Sequence, residues 1–130
     1  MSESNFWKTV KRNLPSDCHA TRIENRHGGG VPDVHIVWNG FAFWIELKVM
    51  KGNKILLSPH QLSWNSAYCR KGGVSFILVK DPRDKSIYLF DGSQASEVFD
   101  KGIDAKTLYH GSCFKELFSK IGAWGLGVGD

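Results

Sequence analysis

Two carboxylates and an amine fall into a suggestive pattern in this 130-residue sequence. Pro32-Asp33 is followed, after twelve intervening residues, by Glu46-Leu47-Lys48. The runs Asp33 to Trp38 (DVHIVW) and Phe41 to Met50 (FAFWIELKVM) are rich in β-branched and aromatic residues, and Asn39-Gly40 separates them. An Asn-Gly pair there predicts a hairpin, because a type I′ turn needs positive φ at both central residues. A two-residue loop puts Trp38 opposite Phe41 and Val37 opposite Ala42. The same register, carried on without a bulge, puts Asp33 opposite Glu46, with Cβ atoms about 4.5–5.5 Å apart.

Like charges facing each other in a sheet repel. Either one carboxylate takes a proton or a cation sits between them. Oxygen ligands at that separation suit Mg²⁺ or Mn²⁺, which keep several waters and bind phosphate oxygens. Side chains alternate along a strand, so Glu46 and Lys48 share a face while Ile45, Leu47 and Val49 point the other way. The ammonium can orient a metal-activated water or stabilise charge growing on a phosphorane. Metal-assisted phosphodiester hydrolysis needs this combination. The plain alternative is a surface hairpin on which Lys48 pairs with the two acids.

The elements that must position these groups are also legible. Residues 3–13 carry Phe6, Trp7 and Val10 at helical spacing, with Ser2 or Ser4 as cap and Pro15 beyond the end. Residues 18–25 alternate as a strand and lead into Gly28-Gly29-Gly30. Ser58-Pro59 opens a helix that Gly72-Gly73 stops near Lys71. Val74 to Lys80 (VSFILVK) has the continuous apolar character of a strand buried on both faces, and Ser86 to Phe90 forms another strand. Residues 93–121 hold two short helical patterns as C-terminal additions, and 122–130 form a flexible tail. The expected architecture is one α/β domain spanning 1–130, an α-β-β-β-α-β core over about 3–91 with a mixed sheet flanked by helices.

Composition sets the frame. With 42% hydrophobic and 23% charged residues the chain is neither a disordered tail nor a collagen-like repeat. Seventeen Lys and Arg against thirteen Asp and Glu give +4, a mild preference for anionic partners. Cys18, Cys69 and Cys113 are widely spaced and odd in number, which fits reduced thiols rather than a disulfide scaffold or a zinc site. No signal-peptide core or membrane-length apolar run stands out, so a soluble, intracellular (cytoplasmic) protein is expected.

At these residues the sequence resembles the PD-(D/E)XK nuclease superfamily, whose restriction-endonuclease-like core has the same α-β-β-β-α-β order. The likeness covers roughly Glu3 to Lys80. Within the superfamily it is most similar to Holliday-junction resolvases of archaeal type and to small phage VRR-NUC endonucleases. The acid Glu3 thirty positions before Asp33, the Gly-rich turn before Pro32, and the Ser-Pro-x-Gln helix start carry that narrower likeness. The resemblance implies Asp33, Glu46 and the Leu47 carbonyl as metal ligands for Mg²⁺ or Mn²⁺, and Lys48 as the catalytic lysine. It also implies an acid from upstream, either Glu3 or Glu24, and a helix glutamine, Gln61, near the same cleft.

Arg22, Arg26, His27, Lys51 and Lys54 flank the motif in sequence and are candidate DNA phosphate contacts. His35 shares the face of Asp33 and is the lone histidine best placed to meet substrate. The five tryptophans, at 7, 38, 44, 64 and 124, are expected to serve a core or a dimer surface rather than as base-stacking platforms. The functional expectation is a Mg²⁺-dependent, structure-selective DNA endonuclease acting on branched DNA such as Holliday junctions, working as a homodimer. The competing enzyme reading is a phage or restriction-like nuclease on duplex or flap DNA. The competing class is a DNA-binding module that does not cut.

Overall fold

The computed structural model describes residues 2–23, 29–125 and 127. The order is α1 (Glu3–Arg12), β1 (His19–Arg22), β2 (Val34–Trp38), β3 (Phe41–Val49), α2 (Pro59–Arg70), β4 (Ser75–Asp81), β5 (Ser86–Asp91), α3 (Ala95–Lys101), β6 (Tyr109–Gly111) and α4 (Phe114–Gly125). Short 3₁₀ turns at Gly92–Gln94 and Gly102–Asp104 flank α3. The six strands form one sheet in chain order, antiparallel throughout except for the parallel β3–β4 pair that α2 connects.

The β2–β3 hairpin forms for the reason its turn residues suggest. Asn39 and Gly40 have φ of 52° and 76°, both left-handed. Pairing runs from Trp38 with Phe41 to Val34 with Ile45, the register expected from the sequence. Alternation then sorts the side chains onto two faces. Val34, Ile36, Phe43, Ile45 and Leu47 join Phe6 and Val10 of α1 and Leu117, Phe118 and Ile121 of α4 in one core. On the other face Ile77, Val79, Tyr88 and Phe90 meet Ile55, Leu57 and the α3 residues Ala95 and Val98.

Two parts of the sequence reading change. The tail expected to be flexible over 122–130 is helical to Gly125, and residues 126 and 128–130 lie outside the described residues. A Cβ on Gly122 would already touch Trp38, and one on Gly125 would lie 2.4 Å from the Phe41 ring. Those glycines let α4 lie close against the hairpin. The C-terminal additions also include a short edge strand, β6, which pairs with β5. No helix among the described residues is long and apolar enough to cross a membrane.

Candidate active site

The ladder between β2 and β3 stops at Val34–Ile45, and the site begins where it stops. One residue further, the Asp33 carboxylate replaces the missing strand by accepting a hydrogen bond from the Leu47 backbone N–H at 2.8 Å. In an extended strand the N–H and C=O of one residue point to the same side. The Leu47 carbonyl is therefore directed past the end of β2, beside Asp33. The sequence register is right in outcome, since Asp33 and Glu46 are neighbours, although Asp33 lies just outside the paired strand.

Glu46 is 1% exposed. Its Oε2 accepts a hydrogen bond from Gln61 Nε2 at 3.2 Å, while its Oε1 has no donor among the described residues. Burial pushes the Glu46 carboxyl up to about 10, and the Asp33 charge and an Asp33 hydrogen bond push the same way, with Lys48 opposing. Two ionised carboxylates only accept, so the Asp33–Glu46 contact becomes a hydrogen bond when one of them carries a proton. A buried acid with an unmatched oxygen lacks either a proton or a cation.

Lys48 follows on the same face, its side chain 11% exposed and its Nζ 4.0 Å from Oε2 of Glu3 at the start of α1. Ser2 caps that helix by accepting from the Asn5 N–H, which fixes the turn bearing Glu3. Gln61 is placed by a reciprocal capping box: its N–H donates to Ser58 Oγ at 3.1 Å, and the Ser58 N–H donates to its Oε1 at 2.9 Å. One carboxamide thus closes the helix end with its oxygen and holds Glu46 with its nitrogen. Asn65, fully buried, donates to the Gln61 carbonyl and accepts from Ser75 Oγ at 2.7 Å, tying this turn to β4. Sequence reasoning missed Asn65, although a polar residue four positions after Gln61 was the available signal.

The structure thus gathers Glu3, Asp33, Glu46, Lys48 and Gln61. It does not bring Arg22 to them: Arg22 pairs with Val34 on the α1 face, and its guanidinium lies over the Trp7 ring at 5.8 Å. The parity of that strand, set by pairing rather than by sequence, turns Arg22 away. Lys51 and Lys54 are exposed on a tight turn after β3 and bond to each other through their backbones. Glu24, Arg26 and His27 lie outside the described residues.

Two openings flank the carboxylates. A groove of about 280 Å³ is lined by Asp33, Gln61, Ser58, His60 and Gly30, and another of about 440 Å³ by Glu3, Lys51, Val49 and Pro82. A third groove of about 360 Å³, apolar and lined by Trp38, Phe114 and Phe118, lies at the tip end of the hairpin, away from the carboxylates.

Gly30 joins the loop carrying Asp33 to the start of α2. With φ at +77°, a Cβ there would sit 2.0 Å from the His60 carbonyl oxygen. Gly30→Ala therefore strains the backbone and forces apart two segments that both carry site residues. The expected cost is about 1–3 kcal/mol in urea unfolding. An unchanged midpoint would show that the contact is not made.

Among the described residues, no three His, Cys, Asp or Glu side chains lie close enough together to form a metal cage. The donor set is instead two carboxylates and one open carbonyl. That fits Mg²⁺, which is commonly held by one or two carboxylates, with waters and substrate phosphate completing its shell. Zinc, which favours nitrogen and sulfur, fits poorly.

A solved structure bears on the architecture. Archaeoglobus fulgidus Hjc, a Holliday junction resolvase from an archaeal hyperthermophile, matches with a TM-score of 0.52 at 18% identity, over 71% of this chain and 75% of that one. The two share a fold. It is the restriction-endonuclease-like architecture of a mixed sheet flanked by helices that the sequence led one to expect. No protein-family model matches the sequence, and no curated protein does.

Proposed function

We propose that this protein is a metal-dependent DNA endonuclease, selective for branched DNA such as Holliday junctions. The observation that carries the reading is the buried Glu46 carboxyl, one oxygen unmatched, held against Asp33 beside Lys48. The fold shared with a Holliday junction resolvase supports the choice of substrate class.

Asp33, Glu46 and the Leu47 carbonyl would hold Mg²⁺ or Mn²⁺. When bound, the ion supplies Lewis acidity toward a phosphate oxygen and makes a water acidic enough to attack. Lys48 orients that water or stabilises the charge growing on the phosphorane. Gln61 keeps Glu46 from rotating, and Glu3 restrains the Lys48 ammonium. Lys51 and Lys54 contribute phosphate contacts on the β3 side, with the salt dependence such contacts bring. One chain supplies one site, so symmetric resolution of a junction calls for a two-fold homodimer.

The test is incubation of a synthetic four-way junction, a flap and a linear duplex with the protein and Mg²⁺. Paired symmetric nicks confined to the junction are the expected result. Equal cutting of linear duplex would remove the structural selectivity, and binding without cleavage would make the protein a DNA-binding module.

A further inference from the structure

Three of the segments that carry the site each place an aromatic ring close behind their polar residue. On β2, His35 follows Asp33 on the same face; on β3, Trp44 precedes Glu46 on that face, with His35 and Trp44 directly paired. On α2, Trp64 lies one turn beyond Gln61, and Tyr68 one turn further. All three directions lead from the carboxylates toward the hairpin tip, because β2 and β3 are antiparallel and α2 returns from β3 toward the start of β4. The rings form a continuous row. Centroids are 4.7 Å apart for His35 and Trp44, 5.7 Å for Trp44 and Trp64, and 4.6 Å for Trp64 and Tyr68, the last pair stacked.

The row lies outside the two buried apolar clusters of the fold. Trp7, Trp38 and Trp124 pack against the core beneath α1 and α4, as the sequence led one to expect of tryptophans. Among the described residues, Trp44 and Trp64 join neither buried apolar cluster, and nor does Tyr68. All four rings are half-buried, and the sheet face beside them is open, with His19, Thr21, Val37 and Ala42 exposed. Arg70 and Lys71, exposed at the end of α2, set positive charge where the row ends. The Trp44 position is two residues, about 7 Å, along the strand from Glu46, roughly one nucleotide from a phosphate held there.

We propose that His35, Trp44, Trp64 and Tyr68 form a stacking subsite for unpaired nucleobases next to the cut. Every base has a π-face, so the row takes any sequence but rejects a base still stacked in a continuous helix. Selectivity for branched DNA would then come from a nucleotide splayed at the branch point onto these rings. This rests on the endonuclease reading for the identity of the neighbouring phosphate site, and it can fail separately.

The test uses the unaltered protein, in Ca²⁺ to prevent cutting, with short oligothymidine and an abasic oligomer of the same length and charge. Tryptophan fluorescence reports binding. Oligothymidine should quench it and bind about tenfold more tightly than the abasic backbone. Trp64→Ala should bring the two affinities together, and Trp64→Phe, which keeps a ring, should restore most of the difference. Equal affinity for the two oligomers, or no binding of either, would overturn the subsite and leave the row as packing or as a face for a second copy of the chain. Base-dependent binding by a protein that cuts none of the three DNA forms in Mg²⁺ would retain the subsite and reject the nuclease.

Discussion

Glu46→Gln should reduce DNA cleavage about 10³-fold or more while junction affinity in EDTA stays within about threefold, because it removes a metal ligand and no direct phosphate contact. The same variant should fold at least as well as the parent. Burial, with Asp33 adding to it, pushes the Glu46 carboxyl from its ordinary 4.5 up to about 10. Between those values the metal-free folded state binds a proton that the unfolded chain releases. Stability of the metal-free parent therefore falls as pH rises through that window. Glutamine has the shape of the protonated acid, still accepts from Gln61 Nε2, and can donate to Asp33 without needing a proton. In EDTA the variant should melt at or above the parent at pH 8, with the gap closing toward pH 5. Mg²⁺ should raise the melting temperature of the parent alone, since binding to the folded state stabilises it. A variant that cuts at normal rates would remove Glu46 from the site, and one that melts far below the parent at pH 8 would show that the acid is buried ionised.

The part of this site legible in the sequence is the part set by strand period and turn chemistry. Asn39-Gly40 fixes a two-residue turn, the turn fixes the register, and the register makes Asp33 and Glu46 neighbours. The capping box is likewise local: Ser58, Pro59 and Gln61 specify the helix start whatever packs against it. What local rules leave open is which side of an element faces which partner. Arg22 has the charge and chain position of a DNA contact, yet pairing of β1 with β2 turns it onto Trp7. Trp44 and Trp64 look like core residues by composition, but lie outside both cores because the sheet face beside them is open. Gly122 and Gly125 suggest slack chain until the Trp38 and Phe41 rings are seen against them. Each of these depends on contacts between segments distant in sequence.

Lys48→Met provides the sharpest separation between chemistry and structure at this site. Methionine fills most of the volume of the lysine stem. The ion pair it removes, at 4.0 Å with a Glu3 side chain that is 49% exposed, is too screened to matter much for folding. Melting temperature and junction affinity should therefore change little. Cleavage should fall about 10²–10³-fold, the usual cost of losing one positioned charge from a developing anionic transition state. Lys48 ligates no metal in this arrangement, so raising Mg²⁺ should not restore the rate, whereas an Asp33 or Glu46 ligand weakened by substitution should respond to added metal. Arginine should not substitute, because a planar fork cannot replace a compact ammonium in a pocket that leaves the side chain 11% exposed. Glu3→Gln should cost less than Lys48→Met, since Glu3 acts only through the ammonium it restrains. A methionine variant that cuts within tenfold of the parent, or one rescued by metal, would reduce Lys48 to a counterion for the acids around it.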